Sequence, residues 1–177
     1  MVGLATALSL VKLWEMPLGG SITLLSMLPI VLIALRHGTA VGLSTAFVYS
    51  VGQLFLGLSS LMSWGMNVTM WIGSLLFDYL IAFTLLGFAG VFRKKGVKGA
   101  LAGVVLAMTL RFVSHFISGA IFFAVWCPWD NPVIYSVCYN GAYMGVELVL
   151  TLLGASLLFA STPMRRLLNL EQNSTAA

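Results

Sequence analysis

The chain has 177 residues, of which 60% are hydrophobic and only 8% are charged, and its net charge is +4. A soluble domain carries about a quarter charged residues, so this composition excludes a water-soluble globular protein. Six membrane-spanning helices of roughly 20 residues use most of such a length, which excludes an additional nucleotide-binding domain or soluble catalytic module.

Apolar segments predict an all-α integral membrane protein, a single domain over residues 1–177 built as a bundle of six transmembrane helices. The predicted spans, in chain order, are residues 2–13, 22–35, 38–58, 68–92, 99–125 and 133–160, followed by a polar tail over residues 161–177. Turn-rich segments separate the first span from the second and the fifth span from the sixth. The first span is short for a bilayer, so we expect it either to tilt at the edge of the bundle or to begin upstream.

The basic residues predict the orientation of the bundle. Arg36, the cluster at residues 93–98 and the pair at residues 165–166 close the second, fourth and sixth spans, so they all lie on one side of the membrane. By the positive-inside rule that side is the cytoplasm, and both termini, including the polar tail, are cytoplasmic. This grouping explains the positive charge without nucleic-acid binding. The N-terminus also lacks the basic region of a signal peptide.

Small residues spaced four apart predict close helix contacts. The pairs are Gly38 and Gly42, Gly99 and Gly103, and Gly141 and Gly145. Internal packing is the default interpretation, and a partner-docking surface is the alternative. The two cysteines, Cys127 and Cys138, have no metal-ligand spacing around them, so we predict no metal site. We expect two small apolar side chains near one membrane face, with a disulfide as the alternative.

Among the ionisable side chains at membrane depth, four stand out: Asp78, Arg111, His115 and Glu147. Such groups are costly in lipid, so they mark a functional site or pair with one another. With about 1.5 Å of rise per residue, Arg111 and Glu147 both lie roughly 21 Å from the outer ends of their helices. A structural ion pair between them is the preferred interpretation, and a proton relay is the alternative.

A shallower polar layer is predicted roughly 12–15 Å below the outer ends of three neighbouring helices. It contains Asp78, His115 and Asn140, flanked by several tyrosines. A carboxylate suits a cationic ligand, an amide and hydroxyl groups suit ring nitrogens, and aromatic rings suit stacking. The pattern therefore indicates a ligand pocket open to the outside. The alternative is that Asp78 only pairs with Arg111 or His115.

Several short segments in a fixed order indicate a family. The segments are MPLGGS at 16–21, LPI at 28–30, RHG at 36–38, DY at 78–79, RFVSH at 111–115, ISGAIFF at 117–123 and YSVCYN at 135–140. In this combination the chain resembles the thiamine-specific substrate-binding (S) components of bacterial energy-coupling-factor (ECF) transporters. The resemblance covers about residues 14–165.

The resemblance implies a six-helix S component in the bacterial plasma membrane that binds thiamine near the outer face. It implies delivery of thiamine together with a membrane coupling (T) protein and two ABC-type ATPases. Only these partners would use ATP, and no cofactor is implied for this chain. The thiamine-binding residues implied by matching motif positions are Asp78, Tyr79, His115, Gly119, Phe123, Tyr135 and Asn140.

Individual roles also follow from the resemblance. Asp78 would face the aminopyrimidine and help to balance the positive thiazolium, whereas Tyr135 and Asn140 would hydrogen-bond the pyrimidine. His115 and Gly119 would line the ring pocket, and Phe123 would stack on a ring. The resemblance further implies a lid formed by Gly19 and Gly20. It also implies docking of the coupling protein at Ala5 and Ser9.

The residues leave other functions open. One is an S component for a thiamine precursor, such as hydroxymethylpyrimidine, or for another vitamin. Another is a self-sufficient ion-coupled transporter. A membrane enzyme that uses Asp78 and His115 as an acid/base pair is a third, although the chain carries no recognisable catalytic signature. The prediction is therefore transport and not catalysis.

Overall fold

A computed structural model describes residues 1–170, which form a helical bundle with one short hairpin. The helices are α1 (Val2–Ser9), α2 (Leu28–His37), α3 (Thr39–Ser63), α4 (Val68–Gly90), α5 (Gly96–Ile121), α6 (Pro132–Ala160) and α7 (Thr162–Leu167). The strands are β1 (Lys12–Glu15) and β2 (Ser21–Thr23). Short 3₁₀ turns lie at Pro17–Gly19, Arg93–Lys95 and Ala124–Trp126, and the last part of α4, Leu85–Gly90, is also a 3₁₀ helix. Part of the predicted polar tail is thus helical, and its last seven positions, 171–177, lie outside the described residues.

Within residues 1–170, four helices are long and apolar enough to cross a membrane: α3, α4, α6 and α5 with its preceding turn. They correspond to the third to sixth predicted spans. Helix α2 has only ten residues, about 15 Å of rise, which is roughly half the thickness of a bilayer core. Helix α2 begins at Leu28 and not near residue 22, because the preceding residues form strand β2.

The first predicted span is shorter than expected. Helix α1 ends at Ser9, and the following residues pair as an antiparallel hairpin in which Lys12 faces Thr23 and Glu15 faces Ser21. All four residues of β1 are exposed, and Lys12 forms an ion pair with Glu15 at 2.6 Å. Charged side chains that lie in water explain why the apolar segment does not continue as a helix.

A tight turn closes the hairpin. The backbone N–H of Met16 donates a hydrogen bond to the carbonyl of Gly20 at 2.7 Å. Leu18 and Gly19 both have positive φ angles, 63° and 93°. Gly19 adopts this conformation without the steric penalty that a β-carbon brings. The turn therefore places the two glycines at the tip of the hairpin, above the bundle.

Small residues let the helices of the bundle approach one another. A β-carbon on Gly42 of α3 would lie 2.9 Å from the Gly87 carbonyl oxygen of α4, and one on Gly103 of α5 would collide with the Ala89 carbonyl of α4. In contrast, a β-carbon on Gly145 would meet nothing within 4 Å. Packing is therefore internal at Gly42 and Gly103, whereas Gly145 faces outward.

The basic residues gather at one end of the bundle. Arg36 donates to the carbonyl of Leu167 at 2.5 Å, and Arg93 donates to the carbonyl of Arg36 at 2.6 Å. The hairpin lies at the opposite end, where Gly20 contacts Tyr139 near the start of α6. The two ends of the bundle thus differ in charge.

Helix α1 lies against α3 with Ala5 and Ser9 inward. Both residues are buried, and the Ser9 hydroxyl accepts a hydrogen bond from Gln53 Nε2 at 2.8 Å. The prediction that Ala5 and Ser9 dock a partner is therefore wrong, because their face of α1 is already covered by the protein itself. The exposed small residues of this helix are Gly3 and Ala7.

Candidate functional site

A cavity of about 280 Å³ lies beneath the hairpin, between α3, α4, α5 and α6. Its volume is close to the lower limit of typical small-molecule pockets, about 300 Å³. The predicted binding residues all line it: Asp78, Tyr79, His115, Gly119, Phe123, Tyr135 and Asn140, together with Gly19 and Gly20. The structure therefore brings together in one cavity the side chains that the sequence placed on separate helices.

Asp78 lies in an unusual part of α4. Residues Leu75–Ile81 form a π-helical segment, a wide turn that is rare and occurs frequently at functional sites. The carboxylate accepts hydrogen bonds at Oδ2 from the hydroxyls of Ser74, at 2.7 Å, and Ser118, at 2.5 Å. Its Oδ1 lies 3.0 Å from Nδ1 of His115. Donors from two helices thus fix the direction of this carboxylate.

The contact between Asp78 and His115 is the pairing that the sequence left as an alternative. It does not remove the two groups from the cavity, since both line its wall. The geometry assigns the Nδ1 proton to the bond with the carboxylate, which leaves Nε2 as an acceptor. Nε2 is buried and has no hydrogen-bond partner among residues 1–170.

Asn140 joins α5 to α6 beside this pair. Its amide nitrogen donates to the carbonyl of His115 on α5 at 3.4 Å and to that of Ser136 on α6 at 3.0 Å. Its side-chain carbonyl accepts from the Tyr143 hydroxyl at 3.0 Å. A β-carbon on Gly119 would lie 3.1 Å from Asn140 Nδ2 and would collide with the Ser136 hydroxyl. Glycine at this position therefore lets the two helices close at the cavity wall.

Aromatic rings form much of the remaining wall. Along α6, Tyr139 lies between Tyr135 and Tyr143, with ring centroids 5.8 Å and 5.9 Å away. The Phe123 ring meets Trp64 edge-on at 5.7 Å. Such a wall suits a flat aromatic ligand, because ring faces and edges offer favourable stacking geometries.

The hairpin tip covers the cavity and is attached to α6. The backbone N–H of Gly20 donates to the Tyr139 hydroxyl oxygen at 3.0 Å, and the Tyr139 hydroxyl donates to the Pro17 carbonyl. A β-carbon on Gly19 would lie 2.9 Å from the Trp64 ring. Both glycines therefore allow a close fit between the hairpin and the aromatic wall.

The predicted ion pair between Arg111 and Glu147 is wrong as a direct contact. Oε1 of Glu147 instead accepts from the backbone N–H of Thr23 at 2.5 Å and from the Thr23 hydroxyl at 2.8 Å. The Arg111 guanidinium lies over the Phe83 ring, 4.4 Å from its centroid, and contacts the Met27 sulfur. Each charged group thus finds its neighbours on other elements, because equal depth does not fix the direction of a side chain.

Other residues line the cavity that the sequence did not single out as ligand contacts, among them Glu15, Gln53, Trp64 and Tyr139. A glutamine inside the apolar α3 helix is a signal that was available for Gln53. The others depend on how the hairpin folds back. Within residues 1–170 no group of three or more His, Cys, Asp or Glu residues is placed to bind a metal, and both cysteines are free.

Comparisons with known proteins give a consistent result. A family model described as "Thiamine transporter protein" matches residues 1–166. The chain is 35% identical over 163 residues to the thiamine transporter ThiT of Bacillus subtilis, covering 84% of this chain and 80% of that protein. It is 28% identical over 151 residues to ThiT of Lacticaseibacillus paracasei, covering 77% and 72%.

The fold also matches a solved structure. The chain superposes on ThiT from Listeria monocytogenes with a TM-score of 0.75 at 20% sequence identity, covering 94% of this chain and 92% of the other. At this level of identity the comparison concerns the fold.

Proposed function

We propose that this chain is the thiamine-binding S component of an ECF importer. It belongs to the thiamine transporter protein family, whose members it resembles over most of its length. It is therefore a multi-pass bacterial membrane protein with a transport role and not a catalytic one. The supporting observation is the cavity wall in which Asp78, His115 and Asn140 converge beneath the hairpin. Family membership alone indicates a transport role. The cavity wall adds the charged and hydrogen-bonding groups that a cationic aminopyrimidine requires.

The polar groups suggest specific roles. The Asp78 carboxylate provides negative charge for the thiazolium ring. With its Nδ1 proton directed to Asp78, His115 is left with an acceptor at Nε2, which suits an amino group. Tyr135 and Asn140 hydrogen-bond the ring nitrogens in this proposal, and Phe123, Tyr79 and the tyrosines of α6 stack on the rings. The hairpin tip at Gly19 and Gly20 acts as the lid.

The transport role requires partners in this proposal. The four long helices and the shorter α1 and α2 form six membrane segments, with both termini and the basic end in the cytoplasm. A T component and two ABC-type ATPases supply the energy, and ATP acts only on them. This chain carries thiamine as cargo and uses no cofactor. The exposed Gly3 and Ala7 on α1 provide a small-residue face for the coupling protein.

Ligand binding by the purified protein tests the first part of this proposal. Titration with thiamine should quench tryptophan fluorescence, since Trp64 lies in the cavity wall. Hydroxymethylpyrimidine, which lacks the thiazolium, should bind more weakly than thiamine. If the precursor binds more tightly, the protein is an S component for the precursor. If neither ligand binds, the assignment of the cavity fails.

Uptake into vesicles tests the second part. The protein reconstituted alone should bind thiamine but not accumulate it. Adding the T component and the two ATPases with ATP should produce uptake, and a catalytically inactive ATPase should abolish it. Accumulation by the chain alone, driven by an ion gradient, would show a self-sufficient transporter and overturn the partner assignment.

A further inference from the structure

Glu147 is a buried carboxylate that the proposed thiamine contacts do not use. It lies on α6 with no exposed surface and is not part of the cavity wall. A buried charge is costly unless hydrogen bonds compensate for it. Within residues 1–170 both of its hydrogen bonds come from Thr23, whose backbone N–H and hydroxyl donate to Oε1, whereas Oε2 has no hydrogen-bond partner. The carboxylate therefore fastens the end of strand β2 to α6.

The junction that follows β2 is strained. Leu25 has a φ angle of 57°, a left-handed conformation that a side chain with a β-carbon disfavours. The Leu25 N–H donates to the Thr23 carbonyl at 2.9 Å, and a β-carbon on Gly154 of α6 would lie 3.2 Å from a Leu25 methyl carbon. Such a conformation persists only where the surroundings hold it. Here Gly154 of α6 lies against the Leu25 side chain, and Glu147 of α6 holds Thr23, whose carbonyl accepts the Leu25 N–H.

The hairpin thus has two attachments to the same helix. Tyr139 holds the tip, and Glu147 holds the base. Residues 139, 143 and 147 are spaced four apart, so they lie on one face of α6. Tyr139 is only partly buried, whereas Glu147 and Thr23 are fully enclosed. The attachment at the tip is therefore more accessible to water than the attachment at the base.

We propose that Glu147 is a positioning residue for ligand binding, which holds Thr23 so that the hairpin tip closes over the cavity in one position. The proposal rests on the proposed thiamine site. Glu147 touches no ligand and acts through the hairpin. Its contribution is to make lid closure a movement about a fixed base, so that little of the hairpin must be reordered when the ligand binds.

Limited proteolysis of the ligand-free protein tests the attachment directly. Lys12 is the only lysine or arginine before Arg36, so trypsin reports opening of the hairpin by cleavage after this residue. Glu147→Leu removes the acceptor, and cleavage should become about tenfold faster or more. Glu147→Gln keeps an acceptor oxygen, and its cleavage rate should stay within about threefold of wild type. If Glu147→Gln behaves like Glu147→Leu, charge and not the attachment matters, and the proposal fails.

Thiamine kinetics test the consequence for binding. Dissociation from Glu147→Leu should be about tenfold faster than from wild type, with Glu147→Gln close to wild type. Unchanged dissociation in Glu147→Leu would overturn the proposal even if its melting temperature falls. If Glu147→Leu does not fold, Thr23→Val removes the hydroxyl contacts with Glu147 and Ser26 and keeps the backbone N–H bond to Glu147. It should raise both rates about threefold, and unchanged rates would refute the proposal. Failure of wild-type protein to bind thiamine would refute the function instead, and the cleavage rates would still decide the attachment.

Discussion

Replacing Asp78 by asparagine removes a negative charge from the cavity while keeping the size of the side chain. The carboxylate accepts hydrogen bonds from Ser74, Ser118 and His115. The amide nitrogen of asparagine cannot accept, so at least one of these donors loses its acceptor. In the proposed site the Asp78 carboxylate also faces the aminopyrimidine of the ligand. A hydrogen bond from the ligand to a charged group contributes about 1.5–3 kcal/mol, which corresponds to about 10–150-fold in affinity.

A cationic ligand loses more than a neutral one. The attraction between unit charges is about 4 kcal/mol at 4 Å for an effective dielectric constant of about 20, and it is inversely proportional to the distance. We therefore expect Asp78→Asn to weaken thiamine binding by about 100-fold or more. Hydroxymethylpyrimidine has no thiazolium and should lose only the hydrogen-bonding part.

Equilibrium titration followed by tryptophan fluorescence measures both losses. Asp130→Asn is the matched control, because Asp130 is exposed outside the cavity, and it should leave the dissociation constant within about twofold. Wild-type affinity in Asp78→Asn would refute the reasoning about the site. Equal losses for the cationic and the neutral ligand would refute the role of the charge.

Three further substitutions test the lid, the wall and the packing. Tyr139→Phe removes the hydroxyl that joins the hairpin tip to α6 and should raise the thiamine dissociation rate about tenfold, measured by stopped-flow fluorescence. Gly57→Ala places a methyl group against the Tyr79 hydroxyl and, by pushing that ring into the cavity, should weaken thiamine binding at least about tenfold in a titration. Gly42→Ala brings a β-carbon against the backbone of α2 and α4 and should destabilise the protein by about 1–3 kcal/mol, measured by denaturant unfolding in detergent.

Gly52→Ala is the control for both glycine substitutions, because a β-carbon at this position of α3 meets nothing within 4 Å. It should leave thiamine affinity and stability nearly unchanged. If Gly52→Ala is as harmful as Gly57→Ala or Gly42→Ala, the effects come from helix geometry and not from the contacts. A wild-type dissociation rate in Tyr139→Phe would show that the tip is not held by this hydroxyl.

The long helices and the polar cavity could be predicted because both depend on local periodicity and depth. An apolar segment of about 20 residues fixes a span, and the 3.6-residue repeat fixes which residues share a face. Asp78, His115 and Asn140 lie at similar depths on neighbouring helices, and they line one cavity in the structure. Depth and helical face were sufficient to bring these three together.

The hairpin and its contacts could not be predicted in this way. The partner of Glu147 is Thr23, 124 residues away, and this contact depends on a strand that the apolar pattern does not reveal. Depth alone suggested Arg111, whose guanidinium instead lies over Phe83. Similarly, the spacing of Ala5 and Ser9 defines one face of α1 but does not say whether that face points inward. In each case the missing information is the direction in which an element faces.

The π-helical segment at Leu75–Ile81 rotates the part of α4 that follows it, about the helix axis, relative to the part that precedes it. Each α-helical residue advances the helix by about 100°, so a wide turn offsets everything that follows relative to everything before. Asp78, inside this segment, faces the cavity, and Gly87, in the 3₁₀ helix that ends α4, faces the backbone of α3. Deletion of one residue from the wide turn would rotate the two parts of α4 relative to each other by about 100°. The ligand-facing part and the packed part could then no longer both face their present neighbours.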